Sequence, residues 1–447
     1  MNNLIKKDLA YNWHPYTQMK DCETMPPIPI KNAHGAKLYD HEGNFYYDTI
    51  SSWWCNIHGH TNPKIIRAIT EQATKLEHTL FAGFTHEPAV MLSEKLIQIT
   101  PDGLDKVFYS DNGSTAVEVA LKMSLQYWQN IGITDKKHFV SFDRGYHGDT
   151  AGAMSVSGKS IYNDKFKPIM TDHFQVLTPY CYRCPLELEQ KSCSIGCMTL
   201  MENILRKNSS SISAIIIEPL LLGAGGMIIY PHEYLKKVYD LAKKYNVHLI
   251  FDEVATGFGR TGKMFAFEHA SIVPDFLCLS KGITSGYLPL SVTMTSNEIY
   301  NSFYGDYDEY KTFYHGHTYT ANPIACAAAL ASIEIFETEQ TLYNVELINN
   351  KLNSFLDKTK DLDFVGDIRS IGCVGAIEIV ENKLTKNTHD PKKRIGLKIY
   401  NESLKQNLIL RPMGNVMYFF LPLCLSIEEL DDIFDKAGKV INNRLML

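Results

Sequence analysis

The chain has 447 residues, of which 45% are hydrophobic and 21% charged, and its formal net charge is −6. A chain of this length is expected to form two or three domains. The negative charge argues against nucleic acid and anionic membranes as partners. The first ten residues lack the apolar run of a secretory signal, and the longest apolar stretch, 214–230, is interrupted by Glu218, Pro219 and several glycines. The composition therefore predicts a soluble cytoplasmic protein.

The N-terminal 55 residues contain the run HGAKLYDHEGNFYYD, which predicts a short antiparallel hairpin with its turn at residues 42–44. Between about residues 60 and 330, apolar strand-like runs alternate with helical patterns. The strands are predicted at 107–110, 139–142, 214–218, 248–251 and 276–280, with helices such as 115–129 and 233–245 between them. This alternation indicates an α/β fold whose mainly parallel sheet is covered on both faces. A long helix over 325–337 and an α+β tail to Leu447 follow.

Four of the ten cysteines form the pattern C-x2-C and C-x3-C in PYCYRCPLELEQKSCSIGC. They are Cys181, Cys184, Cys193 and Cys197. A small zinc knuckle is one interpretation of this spacing, and reduced cysteines in a surface loop are the other, which we adopt. The remaining six lie mostly in apolar runs and are predicted to be buried thiols, as in a reducing compartment.

Two of the predicted strands are followed by residues whose side chains could take part in catalysis. The run Val247 to Phe251 is followed by Asp252, and the run Phe276 to Leu279 is followed, one residue later, by Lys281. A lysine amine can hold the aldehyde of pyridoxal phosphate covalently, and a carboxylate can keep the pyridine nitrogen protonated. Either residue alone also fits a turn carboxylate or a solvated lysine. The sequence GFGRTG between them favours the cofactor.

The segment DEVATGFGRTG at 252–262, with the later SKG at 280–282, resembles the signature of the class III (omega) aminotransferases. This resemblance implies the type I pyridoxal-phosphate transferase fold. The middle of the chain, 59–328, is then the large cofactor-binding domain. The N-terminal segment 1–58 and the C-terminal segment 329–447 are then expected to form a small α+β domain.

The sequence DNGST at 111–115 follows a predicted strand and opens a helix, so we interpret it as the phosphate cradle. Gly113 permits close backbone approach and Ser114 is expected to cap the helix, as in the family's phosphate motif. A capping turn that binds nothing is the alternative. Tyr146, in RGYHGDT, is predicted to stack on the pyridine ring and to reach the substrate with its hydroxyl. The resemblance also implies that Glu218 supports the ring-hydroxyl region, although a loop carboxylate remains the alternative.

The segment FYHGHTYTANP at 313–323 carries Gly316, His317 and Thr318. The resemblance implies that Thr318 reaches the phosphate of the neighbouring subunit's cofactor, which predicts a homodimer with shared active sites. We assign Gly316 to the substrate and His317 to the cofactor. The usual pattern of family members that use S-adenosylmethionine has proline in place of His317.

Aromatic residues and one arginine indicate the class of substrate. Tyr16, Trp53, Trp54 and Tyr146, with Arg411, resemble the branch of the family that aminates 8-amino-7-oxononanoate in biotin biosynthesis. That ketone has a long aliphatic chain and a terminal carboxylate, which suit an apolar slot closed by an arginine. Arg260 is a second candidate for the carboxylate, and stabilisation of the GFGRTG loop is its alternative. The two tryptophans as mere core residues are a further alternative.

The same resemblance implies S-adenosylmethionine as amino donor, because a sulfonium and an adenine ring both favour aromatic faces. His317 and the CYRCP segment weigh towards lysine as donor instead. Ornithine, 4-aminobutyrate or β-amino acid transamination remains an alternative, as does a non-catalytic regulatory module that binds the cofactor. The expected mechanism is ping-pong transamination, with Lys281 as general base and acid and Asp252 stabilising the pyridinium.

Overall fold

The computed structural model describes residues 3–443, which form fifteen strands and thirteen α-helices. The strands are β1 (Ile30–His34), β2 (Lys37–Asp40), β3 (Phe45–Tyr47), β4 (Lys106–Ser110), β5 (His138–Phe142), β6 (Phe174–Val176), β7 (Ile212–Ile217), β8 (Leu221–Leu222), β9 (Ile228–Ile229), β10 (His248–Asp252), β11 (Phe276–Leu279), β12 (Ser291–Thr295), β13 (Val365–Ile371), β14 (Val374–Ile379) and β15 (Val416–Phe420).

The helices are α1 (Asn3–Tyr11), α2 (Ser51–Trp54), α3 (Pro63–Ala73), α4 (Glu87–Ile99), α5 (Gly113–Asn130), α6 (Ala151–Ser155), α7 (Met198–Asn208), α8 (His232–Lys244), α9 (Asn297–Ser302), α10 (Pro323–Thr338), α11 (Thr341–Thr359), α12 (Ile395–Lys405) and α13 (Ile427–Asn442). In residues 3–443, none of these helices is long and apolar enough to cross a bilayer.

A seven-stranded sheet in the order β4-β12-β11-β10-β7-β5-β6 forms the centre of the molecule. All neighbours pair in parallel except β12, which is antiparallel to both β11 and β4. Alternate residues of β7 enter two different hydrophobic clusters, Ala214 and Ile216 with α5 and Ile215 and Ile217 with α8. Because helices cover both faces, the strands are continuous apolar runs, as the sequence predicts. The α/β fold is confirmed.

The five predicted strands and the helices between them appear within about two residues of their predicted bounds, but β12 was not foreseen. Its sequence, SVTMT, alternates polar and apolar residues, yet all five residues are buried. The polar ones are satisfied internally: Thr293 Oγ1 donates to the carbonyl of Ala116 at 2.8 Å, and Thr295 Oγ1 to that of Asp275 at 2.8 Å. Buried hydroxyls with hydrogen-bond partners cost little, so the pattern does not reveal the strand.

The two ends of the chain form smaller antiparallel sheets, β1-β2-β3 and β13-β14-β15. The predicted hairpin is confirmed, since the Asp40 N–H donates to the Asn44 carbonyl at 3.0 Å across the turn. These end segments meet. Tyr47 forms a bridge with Leu408, and the Phe420 N–H donates to the carbonyl of Thr49 at 2.8 Å. The N-terminal sheet is therefore joined to C-terminal residues.

Candidate active site

A cavity of about 970 Å³ opens at the carboxyl ends of the parallel strands. Polar residues follow β4, β5, β7, β10 and β11 at this edge, where open α/β sheets usually bind ligands. Ten of the predicted site residues line the cavity: Tyr16, Trp53, Trp54, Gly113, Ser114, Tyr146, Glu218, Asp252, Lys281 and Arg411. Four others, Arg260, Gly316, His317 and Thr318, do not line it.

Lys281 begins a short 3-10 turn after β11 and has a φ of +47°, a sparsely populated backbone conformation for a residue with a side chain. Its Nζ lies 4.8 Å from the centroid of the Trp54 ring. Burial lowers the pKa of this amine, and the nearby carboxylates of Asp252 and Glu218 oppose that shift only in part. A lowered pKa raises the fraction of neutral amine, the form that attacks an aldehyde and accepts a proton.

Asp252 ends β10, and its side chain is almost wholly buried. One carboxylate oxygen accepts the Val254 N–H at 3.1 Å, and the other is 2.8 Å from Nδ1 of His147. His147 was not assigned a role from the sequence, although its motif GYHGDT was noted. A strand residue and a loop residue 105 positions apart meet here because β5 and β10 end at the same edge.

Glu218 follows β7 and accepts two backbone N–H groups, from Tyr146 at 3.0 Å and from Gly223 at 3.0 Å. Complete burial raises the pKa of Glu218 to about 7, and the charge of Asp252 adds to this effect. The carboxyl is therefore a support for the loop that carries Tyr146.

The shift at Glu218 makes a prediction about the apoenzyme. Because the pKa of Glu218 rises from its ordinary value of 4.5 to about 7 on folding, the folded state binds the extra proton between these values. The free energy of unfolding then falls as the pH rises from 4.5 to 7, and Glu218 contributes at most about 3 kcal/mol to this fall. Thermal unfolding of the wild type and Glu218→Gln across this range should show a shallower slope in the variant. A constant offset between parallel curves would contradict the prediction.

The predicted phosphate cradle lies at the start of α5, and the structure corrects one detail of it. The helix cap of α5 is Asn112, whose side-chain oxygen accepts the Thr115 N–H at 3.1 Å, and not Ser114. Asn112 has extended backbone geometry, whereas Ser114 already lies inside the first turn, so its hydroxyl points outward and accepts the Asp149 N–H at 3.3 Å. A Cβ added to Gly113 would lie 2.6 Å from Val254, so only glycine fits there.

Aromatic residues close the outer part of the cavity. Tyr16 packs edge-on against Trp53 at 5.8 Å and against Tyr162 at 5.7 Å. Its hydroxyl donates to the carboxylate of Asp149 at 2.7 Å, and burial together with this partner raises the pKa of Tyr16 to about 12. Asp149 and Tyr162 were not predicted. Asp149 lies within the GYHGDT motif, so that motif could have revealed it.

The two tryptophans differ. Trp54 is 7% exposed, stacks on Phe420 at 5.3 Å and belongs to a core cluster, but Lys281 Nζ lies over its ring. Trp53 is 43% exposed, and the Arg411 guanidinium lies 4.7 Å from its ring centroid. Trp54 is thus mainly a core residue. For this one of the two tryptophans, the structure agrees with the alternative interpretation as a core residue.

Arg260 is buried away from the cavity, with 1% of its surface exposed. It donates to the carbonyl of Leu421 and lies 4.2 Å from the Phe420 ring. These contacts tie the GFGRTG loop to β15, and burial lowers the pKa of the guanidinium to about 10. The contacts support the loop-stabilising interpretation and not direct contact with a substrate.

The segment with Gly316 and Thr318 is exposed and does not reach the cavity of its own chain. His317 is anchored nearby, because its Nδ1 is 2.6 Å from the carboxylate of Asp111, the first residue of the predicted phosphate cradle. Sequence order alone does not indicate this pairing, since 206 positions separate the two residues.

The four clustered cysteines lie in the loop between β6 and α7, half-buried and without disulfide bonds. Burial and the neighbouring thiols raise the pKa of Cys181 to about 11. In the part of the chain that the structure describes, no group of three metal-binding side chains is arranged to hold an ion.

The residues of the cavity fit pyridoxal phosphate. The Lys281 amine forms no ion pair with a carboxylate of the described residues, and the N–H groups of Gly113 and Ser114 have no acceptor among residues 3–443. Unpaired N–H groups at the start of a long helix suit a phosphate. Lys281 would hold the aldehyde, Asp252 would face the ring nitrogen, and α5 would hold the phosphate.

The family model of class-III aminotransferases matches residues 18–441. The chain belongs to this family. As a class-III aminotransferase it depends on pyridoxal phosphate. An adenosylmethionine-8-amino-7-oxononanoate aminotransferase from Geobacter sulfurreducens is 42% identical over 440 residues, covering 97% of this chain and 96% of that protein. The corresponding protein of Helicobacter pylori is 43% identical over 432 residues, covering 96% and 95%.

Solved structures agree with the family assignment. The crystal structure of adenosylmethionine-8-amino-7-oxononanoate aminotransferase from Methanocaldococcus jannaschii has a TM-score of 0.91 at 40% identity and covers 98% of each chain. The omega transaminase from Pseudomonas jessenii in complex with PMP has a TM-score of 0.94 at 30% identity, covering 99% of this aminotransferase and 98% of that chain. Similar backbones thus accompany differently named transaminases, so the fold does not select the substrate.

Proposed function

We propose that this aminotransferase converts 8-amino-7-oxononanoate to 7,8-diaminononanoate in biotin biosynthesis, with S-adenosylmethionine as amino donor. Identity of about 42% over nearly the whole chain to adenosylmethionine-8-amino-7-oxononanoate aminotransferases supports the assignment. In this structure, the observation that carries it is the aromatic slot that leads from Lys281 to an arginine without a carboxylate partner.

The slot suits the acceptor in polarity. It runs from the buried amine of Lys281 past Trp53 to Arg411 at the outer end. In the described residues Arg411 forms no ion pair, so its guanidinium is available for a carboxylate. An aliphatic chain would lie against the indole, and its carboxylate would accept the two parallel N–H bonds that arginine offers.

The residues divide the chemical work between them. When bound, pyridoxal phosphate supplies the electron sink for the carbon that bears the transferred nitrogen. Lys281 Nζ removes the proton from that carbon of the donor, and the later reverse half-reaction returns a proton to the acceptor carbon. Asp252 holds the charge of the ring nitrogen. Tyr146 covers the cofactor site, and the cavity walls limit the entry of water.

Asp149 favours lysine as an alternative donor. Lysine needs a carboxylate for its distal ammonium, and Asp149 lies at the cavity wall, within 2.7 Å of the Tyr16 hydroxyl. The same carboxylate and the faces of Tyr16 and Tyr162 would also attract a sulfonium cation. We retain S-adenosylmethionine as the proposed donor. Several aromatic faces favour its sulfonium, whereas a single carboxylate favours the ammonium of lysine.

A half-reaction separates the donors. The enzyme loaded with pyridoxal phosphate is mixed with each donor alone, and loss of the yellow colour is followed by stopped flow. We expect rapid bleaching by S-adenosylmethionine and slow bleaching by lysine, ornithine and 4-aminobutyrate. Rapid bleaching by lysine with none by S-adenosylmethionine would overturn the assignment of S-adenosylmethionine as the donor. Turnover with ornithine or 4-aminobutyrate but not with 8-amino-7-oxononanoate would overturn the assignment of the acceptor.

The assembly is also part of the proposal. The large domain comprises 59–328, and 1–58 joins 329–447 in the small domain, which the bridge between Tyr47 and Leu408 supports. We propose a cytoplasmic homodimer in which Thr318 and its neighbours complete the partner's site. The exposure of that segment supports this, since Tyr314 is 71% exposed and Tyr319 is 63% exposed. Sedimentation velocity of the loaded enzyme tests the dimer.

A further inference from the structure

Tyr162 lies at the junction of two cavities, although nothing in the sequence singles it out. It lines both the main cavity, which contains Lys281, and a side cavity of about 570 Å³ that is bounded by residues 13–18. Tyr162 is 55% exposed, so a large part of its ring is free to contact a ligand. A molecule that extends from Lys281 into the side cavity would therefore pass this ring.

The loop that carries Tyr162 is tied at both of its ends. The Gly158 N–H donates to the carbonyl of Gly145 at 2.7 Å, and a Cβ added to Gly158 would lie 2.1 Å from the carbonyl oxygen of Asp143. The buried Asn163 closes the loop, because its side-chain amide donates to the carbonyl of Gly158 at 2.8 Å. Tyr162 is thus presented from a short closed loop and forms part of the cavity wall.

The junction between the two cavities combines aromatic rings with a carboxylate. The ring centroids of Tyr162 and Tyr16 are 5.7 Å apart, and their planes are inclined at 65°. The Tyr16 hydroxyl lies 2.7 Å from each carboxylate oxygen of Asp149. Among residues 3–443, no cation forms an ion pair with Asp149. Aromatic faces beside a carboxylate that lacks a cationic partner attract a positively charged group.

These groups suit a sulfonium better than an ammonium. An ammonium donates three hydrogen bonds and needs oxygen acceptors that replace water. A sulfonium has no N–H or O–H group to donate, so aromatic faces balance its charge well, as they do for other cations without hydrogen-bond donors. The side cavity beyond Tyr162 also gives room for a large substituent on the sulfur.

We propose that Tyr162 is a specificity-determining residue that selects a sulfonium donor. When S-adenosylmethionine places its amino group near Lys281, its sulfonium lies against the ring of Tyr162, close to Asp149, and its adenosyl group enters the side cavity. The inference rests on the proposed function, which names this donor.

The test compares S-adenosylmethionine with S-adenosylhomocysteine, which carries the same adenosyl and amino acid groups on an uncharged sulfur. Stopped-flow bleaching of the enzyme loaded with pyridoxal phosphate gives the dissociation constant of each, directly or by competition. Tyr162→Leu should weaken the binding of S-adenosylmethionine about 5- to 30-fold, the range for a partly desolvated cation–π contact, and leave that of S-adenosylhomocysteine within about twofold. Tyr162→Phe keeps the ring and should stay within about twofold of the wild type for both ligands.

Ile161→Ala is the matched control, because Ile161 belongs to the same loop, is 85% exposed and lines neither cavity. Both dissociation constants should equal those of the wild type. A selective loss of S-adenosylmethionine in this variant would show that the shape of the loop, and not the ring, selects the donor. Thermal unfolding checks that each variant folds. Should Tyr162→Leu fail to fold, Tyr162→Gln removes the ring in its place.

The outcomes separate the inference from the proposed function. If S-adenosylmethionine does not bleach the wild-type enzyme, the assignment of the donor is wrong and the inference falls with it. If S-adenosylmethionine bleaches the wild type, but Tyr162→Leu weakens the binding of both ligands equally or of neither, only the role of Tyr162 is wrong.

Discussion

Lys281→Ala is expected to abolish the covalent attachment of the cofactor and with it the yellow colour of the purified enzyme. The reason is that the Lys281 amine lines the cavity and forms no ion pair among residues 3–443, and burial lowers its pKa towards the neutral, reactive form. Loss of a positioned acid and base alone costs about 10²- to 10⁴-fold in rate, and loss of the covalent attachment adds to that. The measurements are the visible spectrum, single-turnover transamination, and peptide mapping after borohydride reduction.

Lys159→Ala is the matched control, because Lys159 is an exposed lysine that does not line the cavity of Lys281. This variant should keep the colour and the reduced adduct on the peptide that contains Lys281. An adduct that still forms with normal stoichiometry in Lys281→Ala would show that another lysine holds the cofactor.

Arg411→Ala is expected to raise the KM for the carboxylate-bearing acceptor about 10- to 100-fold while the affinity for pyridoxal phosphate stays the same. A charge-assisted pair with a partly desolvated carboxylate contributes about 1.5–3 kcal/mol, which corresponds to that range. Arg411→Lys should recover only part of the loss, since an ammonium cannot form the two parallel bonds of a guanidinium. Steady-state kinetics with the acceptor varied at saturating donor measure the effect.

Arg394→Ala provides the control for Arg411. Arg394 is also an exposed arginine, but it is engaged with Asp21 and lies outside the cavity. Its loss should leave the acceptor KM unchanged. An unchanged KM in Arg411→Ala as well would remove Arg411 from the substrate site, and an equal loss of cofactor affinity would point to a structural role.

Much of the cofactor site could be predicted because it depends on local sequence. Strands buried on both faces are continuous apolar runs, so their ends can be read directly, and Asp252 and Lys281 follow two of them. In a parallel sheet, all such ends lie at one edge. This pattern indicated the α/β fold class, and the resemblance of DEVATGFGRTG and SKG to the class III signature indicated the family and its cofactor.

Other features could not be read from the chain because they arise from contacts between distant segments. The strand β12 is hidden by its polar residues, whose hydroxyls are satisfied only by carbonyls elsewhere in the fold. Arg260 lies in a conspicuous motif, yet its burial against Phe420 depends on how the last strand docks. The partner of His317, Asp111, is likewise visible only in three dimensions.

The sequence by itself determined which residues follow the parallel strands, and hence the cradle, the lysine and the carboxylate of the proposed cofactor site. Only the tertiary structure decided which other side chains stand beside them. It placed His147 on Asp252, Asp149 on Tyr16, and Trp53 against Arg411. The physical reason is that strand ends are fixed by local hydrophobic patterning, whereas these pairs depend on loops whose paths are set by packing across the whole fold.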